Sequence, residues 1–260
     1  MRIISWNING LKSRFDDLRK LILSYSPELV CLQKVRCSDE RNQYQLEGYK
    51  QIYSKEDMGN WSGVMTYAKI SVLKELESKE GDFTNKFSVP LSLSREGHLQ
   101  VFNCKYFLLV NAYVPFANPN IENAERYRED WDNDFKDYIK YLSSNIPVII
   151  CGDFNVVHTE KDTCEIKLEK SRPCFTQEER QRFNSLLSEC KLFDAFRTLN
   201  PEDTTPSFYG NFRKLGIGNR LDYFLISESI KDKILSCQIL NNFSEAQSDP
   251  IMLEAAPMSC

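Results

Sequence analysis

The chain has 260 residues, of which 42% are hydrophobic and 27% are charged, and its formal net charge is −4. These values are typical of a globular protein, and no apolar run approaches the roughly 18 residues that a membrane span requires. Strong nonspecific nucleic-acid binders usually carry a basic balance, so the composition argues against that class. It does not exclude a nuclease, in which local basic loops can coexist with an acidic site.

The cysteines and the opening residues predict a reducing compartment. The chain has nine cysteines, an odd number, and Cys31 and Cys151 lie inside apolar runs. We therefore expect buried, reduced thiols, and the absence of paired CxxC spacing argues against a zinc site. The opening residues lack the apolar core and cleavage site of a signal peptide. We expect a soluble, cytoplasmic protein that does not associate with membranes.

The first part of the chain predicts strands and one helix. Residues 3–6 and 29–32 are apolar runs typical of strands, and residues 15–25 have the apolar spacing of an amphipathic helix, which Pro27 ends. Residues 48–53 and 62–67 predict two further strands, separated by a turn at 57–60. Residues 99–102 and 106–110 predict an antiparallel pair, and we expect most of 70–96 to be loop.

The second part predicts helices between further strands. Residues 124–142 predict a charged helix, and residues 147–151 predict a buried strand that ends at Gly152. Thr176, followed three residues later by Glu179, has the form of a capping box and predicts a helix to about residue 190. Strands are predicted at 220–226, at 234–240 and from 248, with loops at 158–174 and 201–219. No linker or repeat interrupts the chain, so we expect one domain over 1–260, an α/β or α+β fold with sheets inside and helices outside.

Polar side chains stand at or near the ends of these apolar runs. Asp153 and Asn155 follow one buried strand two residues apart, so in an extended chain they share a face. Carboxylate and amide oxygens at converging strand ends can hold a hard cation and a phosphate. Each residue taken alone is equally compatible with a turn or cap role. The candidates are Asn7, Asn9, Lys34, Asn111, Tyr113, Asp153, Asn155, Asp222 and Asp249.

Short motifs extend this pattern along the chain: WNING at 6–10, LQ at 32–33, SGV at 62–64, NAYVP at 111–115, GDFNVVH at 152–158, RLDYF at 220–224 and SD at 248–249. In this order they resemble the exonuclease III / apurinic-apyrimidinic (AP) endonuclease family of the endonuclease/exonuclease/phosphatase superfamily. The resemblance implies a four-layer α/β/β/α sandwich, similar to DNase I, in which two mixed β-sheets are flanked by helices. It also implies cleavage of duplex DNA, at abasic sites or 3′ ends, by a monomer with Mg²⁺ or Mn²⁺ as cofactor.

The resemblance also implies roles for individual residues. Asp153 corresponds to the group that orients or deprotonates the attacking water, and Tyr113 to the phenol beside the scissile phosphate. Asp222 corresponds to the carboxylate that orients a histidine, and Asp249 to an acid that helps to bind the metal. The implied catalytic set is Asp153, Asn155, Tyr113 and Asp222; the implied metal set is Asn7 and Asp249; and the implied substrate contacts are Asn7, Asn111, Lys34 and Arg220.

Two departures from the family affect the predicted chemistry. Lys34 stands where the family has the glutamate that is its principal metal ligand. Unit charges about 4 Å apart interact by roughly 4 kcal/mol at an effective dielectric of about 20, so an ammonium group there opposes Mg²⁺ binding. At the other end, the sequence SDPI at 248–251 lacks the histidine that follows this aspartate in the family. His158 matches another family position, and His98 could replace the missing histidine only if the fold brought it there.

The predicted substrate pocket departs as well. Asn219 replaces the aromatic residue that precedes the RLDYF motif in the family, and only Phe208 and Tyr209 remain aromatic in the upstream loop. Phe116 replaces the asparagine that usually follows the YVP sequence. These changes weaken the expectation of an aromatic-lined pocket for an abasic sugar.

Three functions remain open from the sequence. The first is a metal-dependent DNA phosphodiesterase whose activity is weakened by its departures from the family. The second is a catalytically impaired pseudo-nuclease that binds nucleic acid or a partner, in which Lys34 takes the place of the cation and holds a phosphate. The third is a phosphatase that acts on a small phosphoester, although the motifs around Tyr113 and Asp222 fit the nuclease branch better.

Overall fold

The computed structural model describes residues 1–37, 43–53, 63–73, 88–94, 98–164, 172–241, 243 and 245–258. In chain order the elements are β1 (Arg2–Asn7), α1 (Leu11–Tyr25), β2 (Leu29–Gln33), β3 (Tyr49–Tyr53), β4 (Val64–Lys69), α2 (Leu91–Ser94), β5 (Leu99–Asn103), β6 (Leu108–Tyr113), α3 (Ala124–Ser143), β7 (Val148–Asp153), α4 (Gln177–Glu189), β8 (Leu192–Asp194), α5 (Ala195–Leu199), β9 (Asp222–Ser227), β10 (Ile234–Ile239) and β11 (Ile251–Ala255). Short 3₁₀ helices lie at Glu160–Asp162, Arg213–Leu215 and Glu228–Lys233. No helix among these described residues is long and apolar enough to cross a membrane.

The strands form two mixed sheets. The first sheet has six strands in the order β10-β11-β1-β2-β4-β3, and the second has five in the order β5-β6-β7-β9-β8. Strands β1 and β2 are parallel in the first sheet, as are β6 and β7 in the second. The other neighbouring strands are antiparallel.

Apolar side chains bury both faces of each sheet. The inner faces share one core, in which Cys31 of β2 and Cys151 of β7 are among the buried residues. Helix α1 covers the outer face of the first sheet through residues such as Leu18. Helices α3 and α4 cover the outer face of the second sheet through residues such as Trp131 and Phe183. The fold is therefore the predicted four-layer α/β/β/α sandwich.

The predicted strands and long helices are present, with some ends shifted. The strand predicted at 106–110 lies later, over Leu108–Tyr113. Strand β7 continues past Gly152, because Gly152 is paired with residues of both neighbouring strands. Strand β8 and helix α5 were not predicted, and α2 lies in a segment predicted as loop. The turn predicted at 57–60 lies outside the described residues.

The ends of several strands meet at one edge of the sandwich. Because β1 and β2 are parallel, Asn7 and Gln33 lie side by side where those strands end. In the second sheet Tyr113 and Asp153 are paired at the ends of β6 and β7. Strand β9 is antiparallel to β7, so Asp222 at its start lies beside Asp153. The convergence predicted from the sequence is confirmed for these strands.

Candidate active site

A buried carboxylate held by amides lies at the centre of this edge. Asp153 is 3% exposed. Its Oδ2 accepts a hydrogen bond of 2.6 Å from Nδ2 of Asn7, and its Oδ1 accepts one of 2.9 Å from the backbone N–H of Asn155. Burial raises the pKa of Asp153, and these two hydrogen bonds oppose the shift. A carboxylate with a raised pKa is a stronger base than an ordinary aspartate.

Asn155 lies next to Asp153 for a different reason from the one predicted. Its φ of 45° turns the chain, so the two side chains do not share a face of an extended strand. Nδ2 of Asn155 donates to the carbonyl of Val114 at 2.8 Å, and the side chain also acts on the phenol of Tyr113, whose pKa it lowers. Burial and the charge of Asp153 raise the pKa of Tyr113, which keeps its phenol protonated. Asn155 thus ties the segment after β7 to the segment after β6.

Gly152 allows the close approach of the strands that carry Tyr113 and Asp153. Its φ is +146°, and a Cβ at this position would lie 1.8 Å from the carbonyl oxygen of Ala112. Only glycine tolerates both the backbone conformation and that contact. The glycine between Cys151 and Asp153 is therefore part of the geometry of the site.

The buried guanidinium of Arg128 supports the same two segments, and sequence reasoning missed it. Arg128 donates to the carbonyls of Pro115 at 2.7 Å, Phe154 at 2.9 Å and Asn155 at 3.2 Å. It occupies the core-facing side of α3, three residues before the buried Trp131. A charged residue on the apolar stripe of a helix was the signal available in the sequence.

Lys34 follows β2 directly, and its main chain is held on both sides. The N–H of Gly10 donates to the carbonyl of Lys34 at 3.0 Å, and the N–H of Val35 donates to the carbonyl of Gly63 at 3.1 Å. The side chain is half-buried. Burial and the charge of Arg36 lower the pKa of the ammonium group, whereas the charge of Asp153 raises it. The charges of Lys34 and Asp153 therefore act on each other within the site.

Asp249, the second carboxylate implied for metal binding, is paired with an arginine. Asp249 is fully buried. Nη1 of Arg213 lies 3.1 Å from its Oδ2, and Nη2 lies 3.0 Å from its Oδ1. The guanidinium of Arg213 also lies over the ring of Tyr209, 4.2 Å from the centroid, and donates to the carbonyl of Ala246. Arg213 was missed because it lies in a segment predicted as a long loop.

Asp222 is held by hydroxyl groups. Its Oδ2 accepts a hydrogen bond of 2.6 Å from Ser207 and one of 3.4 Å from Ser248. Its Oδ1 has no hydrogen-bond partner among the described residues. Burial and the neighbouring Asp153 raise the pKa of Asp222 well above its ordinary value. The two serines therefore hydrogen-bond to the carboxylate that, by the resemblance, would orient a histidine.

Neither histidine of the chain replaces the missing one. Nδ1 of His98 lies 2.5 Å from the carbonyl oxygen of Tyr113, and its ring packs against Tyr113 and Trp131. Because Trp131 belongs to α3, His98 lies on the outer side of the second sheet. Nε2 of His158 lies 2.8 Å from Oδ1 of Asn184 on α4. Both rings are therefore packed against outer helices.

Asn111, predicted to contact substrate, lies away from the open edge of the site. Asn111 is fully buried between the sheets. Its Oδ1 accepts a hydrogen bond of 2.8 Å from Gln33, and its Nδ2 donates to Thr66 at 3.2 Å and to Gln100 at 3.4 Å. A buried amide needs partners for all its polar atoms, and here the opposite sheet supplies them. Asn111 joins the two sheets beneath the site.

Arg220, for which a substrate contact was also predicted, is only 1% exposed. Its Nε donates to Oδ1 of Asp162 at 2.8 Å, and its Nη2 donates to Oδ2 of Asp194 at 2.7 Å. Asp162 also pairs with Arg197, at 2.5 Å. The guanidinium of Arg220 is therefore paired with buried carboxylates, and it positions the start of β9.

The two aromatic residues of the upstream loop, Phe208 and Tyr209, pack against other side chains of the protein. Phe208 packs in a small cluster that includes Val157 and Phe175, and its backbone pairs with that of Asn219. Nδ2 of Asn9 is engaged with Gln247 at 2.8 Å. Asn219, which replaces the family's aromatic residue, therefore pairs with Phe208, whose ring packs into the protein.

The residues at this edge do not fit the family's divalent cation. Mg²⁺ in proteins is bound mainly through anionic oxygens. Both oxygens of Asp249 face the guanidinium of Arg213, and the ammonium group of Lys34 stands where the family has an anionic ligand. Oδ1 of Asn7 is a buried oxygen without a hydrogen-bond partner among the described residues, but it carries no charge. Among those residues no group of three or more His, Cys, Asp or Glu side chains could hold a metal ion.

Comparisons with known proteins identify the family of the chain. A family model described as the Endonuclease/Exonuclease/phosphatase family matches residues 4–244. The chain belongs to this family. Within the Endonuclease/Exonuclease/phosphatase family, its relatives place it in the predicted exonuclease III / AP endonuclease branch.

Two of these relatives are named for DNA repair or DNA cleavage. The chain is 31% identical over 270 residues to a protein of Danio rerio named DNA repair nuclease APEX1, an alignment that covers 97% of this chain and 81% of that protein. It is 28% identical over 262 residues to an exodeoxyribonuclease of Bacillus subtilis, covering 97% of this chain and 98% of that protein.

Solved structures confirm the fold. An AP endonuclease from Leishmania major superposes with a TM-score of 0.84 at 23% identity, covering 98% of this chain and 88% of that one. An AP endonuclease from Archaeoglobus fulgidus gives a TM-score of 0.81 at 18% identity, covering 98% of this chain and 99% of that one. The four-layer sandwich predicted from the sequence is the fold of these proteins.

Proposed function

We propose that this chain is a DNA-repair phosphodiesterase of the exonuclease III / AP endonuclease type, acting slowly on duplex DNA at abasic sites or 3′ ends. The names of its relatives support the substrate class. The observation that carries the proposal is the buried Asp153 carboxylate, held by Asn7 of one sheet and by the Asn155 N–H of the other. This is the part of the site that a hydrolytic step needs most.

The side chains at this edge can each contribute to phosphodiester hydrolysis. Asp153 orients a water and accepts its proton as the water attacks phosphorus. The phenol of Tyr113 donates a hydrogen bond to a phosphate oxygen, and the ammonium group of Lys34 neutralises the charge that develops there. With serines on Asp222 where the family has a histidine, the leaving alkoxide has no strong donor in the protein and takes its proton from solvent water. The expected reaction is therefore slow.

In the family a bound Mg²⁺ or Mn²⁺ neutralises phosphate charge and activates water. Such a cation supplies several kcal/mol of transition-state stabilisation. Because the residues here do not fit the cation, the proposed reaction does not use it. Its absence is a second reason to expect a low rate.

The second candidate is a pseudo-nuclease that binds DNA or another partner through the same edge without cleaving it. Three observations favour it: Lys34 at the position of the metal-binding glutamate, Asp249 paired with Arg213, and the missing histidine. In that case Asp153 and Lys34 position a phosphate and no turnover follows.

A cleavage assay tests the proposal. The substrate is a duplex with one tetrahydrofuran abasic analogue, which cannot undergo β-elimination, so every nick reports hydrolysis. We expect slow nicking by the native chain, and a loss of at least about 100-fold in Asp153→Asn, because a general base is removed. Asp232→Asn, at an exposed position on the Glu228–Lys233 3₁₀ helix, is the matched control and should nick normally.

Each outcome of this assay selects one candidate. Equal nicking by the native chain and Asp153→Asn would exclude the site as the source of the activity. Duplex binding without any nicking would favour the pseudo-nuclease.

We further propose that the chain acts as a monomer in the cytoplasm. The eight cysteines among the described residues form no disulfide bonds, and all of them except Cys164 are buried. Free thiols are typical of a reducing compartment. Light scattering of the purified chain tests the monomer, and fractionation of the source cells tests the compartment.

A further inference from the structure

Two protein cations interact with the carboxylates at this edge. Lys34 replaces the glutamate ligand, and its charge interacts with that of Asp153. Arg213 meets both oxygens of the buried Asp249. We propose that Lys34 and Arg213 together replace the metal, so that the site binds a DNA phosphate without any divalent cation. This rests on the proposed DNA-binding function and extends it to the source of the positive charge.

The contacts give the two cations different tasks. Arg213 is held by Asp249, by the ring of Tyr209 and by the carbonyl of Ala246, and its side chain is only 18% exposed. Such an arginine cancels the charge of Asp249 and has little freedom to leave it. Arg213 therefore removes an anion from the site, which lowers its affinity for a metal and its repulsion of phosphate.

Lys34 supplies the charge that remains available to DNA. Its main chain is clamped between the segments that contain Gly10 and Gly63, and its half-buried ammonium group is not in an ion pair at 4.0 Å or less with any described carboxylate. A lysine ammonium is a point charge with three donors, which suits a phosphate. Oδ1 of Asn7 is a buried acceptor without a partner among the described residues and suits the same ammonium.

The first test measures binding and not cleavage, so its outcome is independent of turnover. Fluorescence anisotropy of the tetrahydrofuran duplex is recorded with the full chain in EDTA and in Mg²⁺, across a series of salt concentrations. We expect affinities within twofold of each other in the two buffers. Lys34→Gln should lose about tenfold and reduce the slope of log K against log salt by about 1, because one phosphate contact is lost.

Two variants control that measurement, and a third tests the role of Arg213. Lys34→Arg should retain most of the affinity, which separates loss of charge from loss of folding. Lys20→Gln is the matched control, since Lys20 is 70% exposed on the outer helix α1, and it should leave the affinity and the salt slope unchanged. Arg213→Gln should weaken binding of the phosphate, because the negative charge of Asp249 is then no longer balanced and repels it.

The second test measures metal binding directly, with Mn²⁺ as the probe and electron paramagnetic resonance as the readout. We expect the native chain to leave Mn²⁺ free and the double variant Lys34→Glu/Arg213→Gln to bind it. The proposal is overturned if the native chain binds one Mn²⁺ tightly, or if EDTA abolishes its affinity for DNA. A chain that binds DNA in EDTA but never nicks it would refute the proposed hydrolysis and leave this inference standing.

Discussion

The two halves of the site differ in what fixes them. The retained half, Asn7, Tyr113, Asp153 and Asn155, is held by hydrogen bonds between the sheets and to the backbone. The replaced half is Lys34, the Arg213–Asp249 pair and Asp222 with its serines, and it is held by charge pairing and hydroxyl groups. In the replaced half Asp222 and Asp249 match the family, but their partners are serines and an arginine of this chain.

Burial explains why the retained half is difficult to change piece by piece. Removing one partner of a buried hydrogen bond leaves the other unsatisfied, at a cost of about 1–3 kcal/mol. In the replaced half the buried Asp249 is kept and Arg213 balances its charge. A counterion supplied by the protein leaves the fold intact while it alters the chemistry.

The largest effect is expected in the buried ion network that Arg220 forms with Asp162 and Asp194 at the start of β9. Arg220→Met leaves the carboxylates of Asp162 and Asp194 without their shared partner, and we expect a loss of about 3–5 kcal/mol in the free energy of unfolding. Urea denaturation followed by circular dichroism measures it. Arg126→Met, at a side chain that is 83% exposed, should change stability by less than about 0.5 kcal/mol. Equal losses in the two variants would contradict the assigned role of Arg220.

This network also shows what the sequence could and could not predict. The strands, the long helices and the capping box at Thr176 follow from local pattern, and Thr176 does accept from the N–H of Glu179. The pairing of Arg220 with Asp194 joins residues 26 apart, and that of Arg213 with Asp249 joins residues 36 apart. No local pattern reveals such partners, so the sequence did not identify either arginine as a structural residue.

The candidate site was predictable to the same extent. Positions at strand ends followed from the apolar runs, which is why Asp153 and Asp222 were found together. Whether a side chain faces the open edge or the space between the sheets depends on packing across the sandwich. Asn111 therefore resembled a site residue in the sequence and proved to be an inter-sheet contact.

The pH dependence of stability provides a second test of the network. Burial alone would raise the pKa of Asp162, but the charges and hydrogen bonds of Arg220 and Arg197 lower it from 3.8 to about 2. The unfolded chain therefore binds this proton more tightly than the folded one. A stabilisation of about 2 kcal/mol, present above about pH 4, should be lost as the pH falls to about 2.

Urea unfolding between pH 5 and pH 2 measures this loss. Asp162→Asn should be less stable than the native chain at pH 5 and should lose less stability on acidification. Parallel pH profiles for the two proteins would rule out Asp162 as the titrating group.

The smallest effect is expected in the replaced half, at the two serines on Asp222. Oγ of Ser207 donates to Asp222 at 2.6 Å and accepts from the N–H groups of Leu221 at 3.0 Å and Asp222 at 3.1 Å. Ser248 makes one longer bond of 3.4 Å to the same carboxylate. We expect thermal unfolding to show a loss of about 1.5 kcal/mol for Ser207→Ala and about 0.5 kcal/mol for Ser248→Ala. The reverse order would show that Ser248 is the main support of Asp222.

The difference between the halves is tested most directly by anomalous diffraction from crystals of the chain with the tetrahydrofuran duplex, grown with Mn²⁺. The expected result is no manganese peak at the edge formed by Asn7, Asp153 and Asp249, with Nζ of Lys34 within about 3.2 Å of a phosphate oxygen. A manganese peak coordinated by Asp153 or Asp249, with Lys34 turned away from the DNA, would contradict the claim that protein cations have replaced the metal.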